Sequence, residues 1–107
     1  MKKIIYQISF YVPKEHTESV KLAMFEAGAG RIGDYDSCAW QVLGEGQFRP
    51  LDGANPYIGS KGKIERVLEY KVEMVCKEEF LKGVVDAMKK AHPYETPAYS
   101  VIELVDI

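Results

Sequence analysis

Apolar and polar residues alternate at the start of the chain. Ile4, Tyr6, Ile8, Phe10 and Val12 share one face, and Ile5, Gln7, Ser9 and Tyr11 the other. A period of two in β-branched and aromatic residues predicts a half-buried strand. Pro13 follows with a φ suited to a first helical turn. From Lys14 to Ala27 the period lengthens: Val20, Ala23, Met24 and Ala27 recur at helical spacing, Leu22 and Phe25 widen the stripe, and Gly28 stands at the left-handed cap. Cys38, Trp40 and Val42 then alternate with Ala39, Gln41 and Leu43, predicting a second strand with its cysteine and tryptophan turned to the core. Leu68, Tyr70, Val72, Met74 and Cys76 alternate with Glu69, Lys71, Glu73 and Val75, predicting a third strand with one buried and one charged face. A second helix is expected from Glu78 to about Ala91, with Phe80, Leu81, Val84, Met88 and Ala91 inward. Gly83 inside it costs about 1 kcal/mol relative to alanine, which a close helix–sheet contact would explain. Pro93 ends that helix, and Ala98 to Val105 reads as a last strand.

The order βαββαβ predicts an α+β, ferredoxin-like sandwich: a four-stranded antiparallel sheet with two helices on one face, spanning residues 1–107 as a single domain. The other face is then uncovered, with Gln7, Ser9 and Tyr11 beside Glu69, Lys71 and Glu73. A bare face and free edges predict a homo-oligomer. Eight of the nine glycines fall between Gly28 and Gly62. The stretch Gly44–Gly62, with Pro50, Asp52-Gly53, Asn55-Pro56 and Gly59, predicts a long glycine-rich loop. Loops of that length in a small domain are commonly functional.

Composition narrows the partners. The 107 residues are 47% hydrophobic and 28% charged, enough for one core without metal or disulfide staples. A net charge of −2 offers no basic field for a phosphate backbone, so no nucleic acid is expected. No apolar run approaches the ~18–20 residues of a membrane span. Two cysteines, Cys38 and Cys76, and the lack of a signal-peptide pattern place the chain in the cytoplasm as an expectation.

Four motifs bear on chemistry. Gly28-Ala29-Gly30-Arg31-Ile32-Gly33 matches GxGxxG in letters, but follows a helix and precedes a strand, where a phosphate would meet the wrong end of the dipole. It reads as a cap and tight turn. Gly59-Ser60-Lys61-Gly62-Lys63 fails as a P-loop, because Tyr57 replaces the first glycine and Ile64 the magnesium-binding hydroxyl. What remains is a basic loop in which Arg49, Lys61 and Lys63 can meet an anionic ligand. In His92-Pro93-Tyr94-Glu95-Thr96-Pro97, His92 and Glu95 can serve as two ligands of a divalent metal such as copper or zinc. Alternatively, the hexapeptide is a rigid structural corner at the helix C-terminus. Only two histidines exist, His16 on the polar side of the first helix among them, and neither sits in a motif naming a nucleophile. Catalysis is not expected.

Gly28–Tyr35, Cys38, Gly44-Glu-Gly-Gln-Phe-Arg-Pro50, Gly53-Ala-Asn-Pro-Tyr-Ile-Gly59 and His92–Pro97 together resemble the insert domain of YqfO-type proteins, the family named for NGG-one-interacting factor three. The resemblance runs through nearly the whole chain. It implies a module similar to the PII and CutA trimers, so a trimer is favoured over a dimer. It also implies a long loop that meets effectors and clefts between subunits that hold small ligands. The dinuclear metal site of the full-length family lies in flanking His, Asp and Glu segments with no counterpart in these residues. The expectation is therefore a stand-alone insert domain without that hydrolase chemistry. A non-enzymatic PII/CutA-like module sensing a small ligand or metal at subunit interfaces is the leading expectation. A CutA-like metal-binding protein using His92 and Glu95, or a protein-interaction domain without a small ligand, are the alternatives.

Overall fold

A computed structural model describes residues 3–107. Strand β1 (Ile5–Pro13) leads through a 3-10 turn (Lys14–His16) into helix α1 (Thr17–Glu26). Strands β2 (Trp40–Phe48) and β3 (Glu65–Lys77), helix α2 (Glu78–Ala91) and strand β4 (Tyr99–Leu104) come next in the chain. The sheet is antiparallel in the order β2-β3-β1-β4, the ferredoxin-like arrangement expected from the periodicity.

The core lies between the sheet and the helices. Ile8, Phe10 and Val12 from β1 and Val72, Met74 and Cys76 from β3 meet Val20 and Met24 of α1 and Val84 and Met88 of α2. Gly28 and Gly30 end α1 and fasten the α1–β2 connection to the body. Gly28, at φ +118°, leaves room for the Phe80 ring, which a Cβ there would meet at 2.8 Å. Gly30, at φ +78°, donates its N–H to the Val75 carbonyl at 2.8 Å and accepts from the Cys38 N–H at 2.8 Å. The GxGxxG letters thus spell a helix cap and a turn clamped to the sheet.

Several expectations need correction. The second strand does not stop at Gly44: β2 continues through Gly44 and Gly46 to Phe48, and the loop begins at Arg49. Both glycines keep their backbone bonds in the ladder, opposite Glu69 and Val67, so sparse side chains do not make a turn here. The loop therefore spans 49–64 rather than 44–62. Beyond the end of β1, β2 and β3 continue as a two-stranded ribbon, and the thirteen residues of β3 alone run about 43 Å. That ribbon makes the molecule 51 Å long and 23 Å across, and leaves Leu68 exposed rather than in the core. Cys38 lies before β2, half-buried, and only Cys76 packs inside, where burial pushes its thiol pKa up. Trp40 is 59% exposed, because β2 is an edge strand whose Trp40 and Val42 pair with Glu73 and Lys71 on the uncovered face. Gly83 has no heavy atom within 4 Å of a would-be Cβ, so close packing does not explain it.

The uncovered face carries the residues expected there and more. Gln7 Nε2 donates to Glu73 Oε2 at 2.7 Å and Ser9 Oγ to the same oxygen at 3.0 Å. Around this polar centre Trp40, Val42, Ile102 and Leu104 stand exposed.

Candidate functional site

The last helical turn of α2 ends in a rigid corner that draws three segments together. His92 is the C-cap of α2, its backbone N–H on the Met88 carbonyl at 2.9 Å. Its ring is buried and fully engaged. Nδ1 accepts the Tyr94 N–H at 3.1 Å, and Nε2 lies 2.7 Å from the Tyr11 carbonyl of β1. A carbonyl only accepts, so Nε2 carries the proton and the ring is neutral. Burial lowers the His92 pKa; the Tyr11 bond opposes that shift and the neighbouring His16 adds to it. Glu95, three residues on, accepts the Asn55 N–H at 3.0 Å and so clips the 49–64 loop to the corner. His16 is likewise no free surface residue: its Nε2 meets the Tyr57 hydroxyl at 2.9 Å, with the rings edge to face.

These clips hold the loop over a cavity of about 470 Å³ between β2, β3 and the corner. Its walls are largely apolar and include four aromatic rings, from Tyr11, Phe48, Tyr57 and Tyr94. Tyr94 lies centrally, 5.9 Å from the Phe48 ring and 6.5 Å from the Tyr57 ring by centroids. Its hydroxyl donates to Glu69 Oε2 at 3.0 Å. Burial, then Glu69 and Glu15, hold the Tyr94 phenol well above its ordinary pKa, so it stays a donor. The Glu69 carboxylate reaches across β2 because residue 46 is glycine: a Cβ there would occupy the position of Oε1.

The structure divides the predicted site residues. Arg49 lines the cavity, while Lys61 and Lys63 sit exposed on the turn at the loop's far base, outside the lining. An anion in the cavity would thus meet Arg49 without the two lysines. His92 and Glu95 share the corner but are committed to different partners. Both nitrogens of His92 are already hydrogen-bonded, and among the described residues no three His, Cys, Asp or Glu side chains converge to hold a metal ion. The donor set of one chain does not fit copper or zinc. Glu69, Tyr94 and Phe48 are not legible as a group in the sequence; they come from β3, the corner between α2 and β4, and β2, and meet only in the tertiary fold. The alternation that puts Glu69 on the open face is the available signal.

Comparison with known proteins places this arrangement. No family model matches the chain. A "GTP cyclohydrolase 1 type 2 homolog" of Mycobacterium leprae is 55% identical over 95 residues, 89% of this chain and 25% of that protein. The protein of the same name from Bacillus subtilis is 47% identical, over 89% of this chain and 26% of its own length. Among solved structures, the Bacillus cereus protein related to NIF3 superposes with a TM-score of 0.83 at 36% identity, covering 97% of this chain and 26% of that one. The periplasmic divalent cation tolerance protein CutA of Archaeoglobus fulgidus gives a TM-score of 0.65 at 22% identity, over 92% of this chain and 81% of that one, which shows a shared fold. No helix among the described residues is long and apolar enough to cross a membrane. The chain spans about a quarter of the length of the curated relatives it matches; over nearly all of its own length it is similar to one segment of NIF3/YqfO-type proteins, and it shares the CutA-like, ferredoxin-like fold.

Proposed function

We propose that this chain is a non-enzymatic, PII/CutA-like binding or regulatory module of the cytoplasm that takes a small ligand in the cavity beneath the 49–64 loop. The observation that carries the reading is the cavity itself: about 470 Å³, within the ordinary range for small-molecule sites, apolar in its walls with a few polar groups aimed inward. Its cover touches the body through side-chain clips, Tyr57 on His16 and Asn55 on Glu95. Occupancy can therefore be passed to the loop's outer surface. His92 spends both nitrogens on the backbone, which removes the obvious general base and favours binding over catalysis. The cyclohydrolase in the names of the longer relatives is not carried over to this segment.

The second part of the proposal is a homo-oligomer, a trimer before a dimer. Trp40, Val42, Ile102 and Leu104 stand exposed on the bare sheet face, and Tyr11 lies between that face and the cavity. A copy seated on that face would cover the apolar residues and wall the cavity's open side. Calorimetric titration of the full chain with a panel of nucleotides, amines and organic acids, run beside sedimentation equilibrium, tests both parts. Saturable binding that Tyr94→Ala abolishes is the expected result. Silence across the panel would remove the ligand, and a single-subunit mass at every concentration would remove the shared walls.

A further inference from the structure

We propose that the cavity is built for a flat organic cation, a conjugated ring carrying amino or amidinium N–H donors, with Glu69 as its anchor. The inference rests on reading the cavity as a binding site and adds the ligand's chemical class. Three observations carry it.

The first is the state of Glu69. This half-buried carboxylate accepts one hydrogen bond, from the neutral Tyr94 hydroxyl. Among the described residues the ion pairs are Lys21–Glu18, Arg66–Glu45 and Lys82–Asp86, so no ammonium or guanidinium lies within 4.0 Å of Glu69. A carboxylate offers about four lone-pair positions. Most of those on Glu69 are open, and burial under a ligand without donors would leave them unpaired.

The second is the shape and nature of the walls. The rings of Tyr94, Phe48 and Tyr57, with Tyr94 tilted 60° to Phe48 and 53° to Tyr57, line the same space that Glu69 borders. Ring faces carry negative potential and favour flat rings and cations alike.

The third is the balance of charge. Glu69 and Glu95 border the cavity against Arg49, and Glu15 lies close enough to act on the Tyr94 phenol. Lys71, two residues along β3 on the same face, does not line this cavity; it shares the smaller neighbouring one with Glu69 and Glu45, with no ion pair to either. Arg49 is exposed at the rim, where solvent screens it. Within this cavity an anion would have to approach Glu69 with Arg49 as the one cation in the lining, whereas an amidinium pairs with the carboxylate through two parallel N–H bonds.

Benzamidine, benzamide and benzoate share one shape and differ in charge, so calorimetry on the full chain with the three separates the contributions of shape and charge. The expected result is saturable benzamidine binding, with benzoate weaker by about tenfold or more, the size of one charge-assisted hydrogen bond. Glu69→Gln keeps an acceptor for Tyr94 and should weaken benzamidine by a similar factor while leaving benzamide unchanged. Gly46→Ala, which drives the carboxylate off its position, should do the same without altering the melting curve by more than a few degrees. Benzoate binding as tightly as benzamidine, or Glu69→Gln without effect, overturns the assignment of class while the cavity stays a binding site. Failure of all three probes overturns the assignment of class, and the panel of nucleotides, amines and organic acids decides separately whether the cavity binds a ligand.

Discussion

Replacing His92 with phenylalanine removes both ring nitrogens and keeps a flat ring in the corner. Two partners then stand unpaired: the Tyr11 carbonyl on β1, 2.7 Å from Nε2, and the Tyr94 N–H, 3.1 Å from Nδ1. His92 itself is only 6% exposed, so water replaces neither bond without opening the corner. An unsatisfied buried polar group costs about 1–3 kcal/mol, so the pair together costs roughly 2–4 kcal/mol once partial exposure of the Tyr94 end is counted. For a domain whose whole stability is about 5–15 kcal/mol, this is a large fraction. Urea unfolding followed by tryptophan fluorescence and far-UV dichroism measures it. With a slope of about 2 kcal/mol per molar, the midpoint should fall by about 1–2 M at unchanged slope. A shift under about 0.3 M would refute the reasoning, since it would mean that His92 holds nothing together and is free for another role.

Other outcomes rest on the same structure. Because burial depresses the His92 pKa below its ordinary 6.5, the unfolded chain takes up a proton that the folded chain refuses. Stability contributed by this group is therefore complete above about pH 6.5 and falls as pH drops below it, by at most about 1.4 kcal/mol per pH unit; His92→Gln should flatten that limb of the urea midpoint against pH. Gly83→Ala, in α2 with open space at the Cβ position, should raise stability by about 0.5–1 kcal/mol. Gly30→Ala should lower it by about 2–3 kcal/mol, since φ is +78° and the Cβ would press the Phe25 ring at 2.7 Å; equal effects at the two glycines in thermal melts would contradict the account. Trp40→Glu should dissociate the proposed oligomer without unfolding the subunit, and an unchanged sedimentation mass would show that the exposed face is not the contact.

Legibility differs between the two ends and the middle of the chain. Ile8, Phe10 and Val12, Val72, Met74 and Cys76, and Val84 and Met88 all lie where their periods of two and 3.6 put them, inside. The middle is harder to read because glycine usually punctuates, and here it does not. Gly44 and Gly46 sit within β2, whose ladder needs backbone groups and not side chains. Trp40 deceives for a related reason: alternation says that two faces exist, but an edge strand beside a bare face has no buried side to offer it. The His92–Pro97 segment stands out in the sequence, yet its partners do not, because Tyr11 is eighty-one residues away from His92 and Asn55 forty away from Glu95.

The alternating and helical periods by themselves determined the order of elements, the two-layer sandwich and the core, because burying apolar surface is a local demand repeated along each element. Which polar groups meet was decided only by tertiary structure. Sheet register set Glu69 beside Gly46, the corner after α2 set Tyr94 against Glu69, and the fold of the 49–64 loop set Tyr57 on His16 and enclosed the cavity. A hydrogen bond depends on distances of a few tenths of an ångström between atoms far apart in sequence, and no period along the chain encodes that.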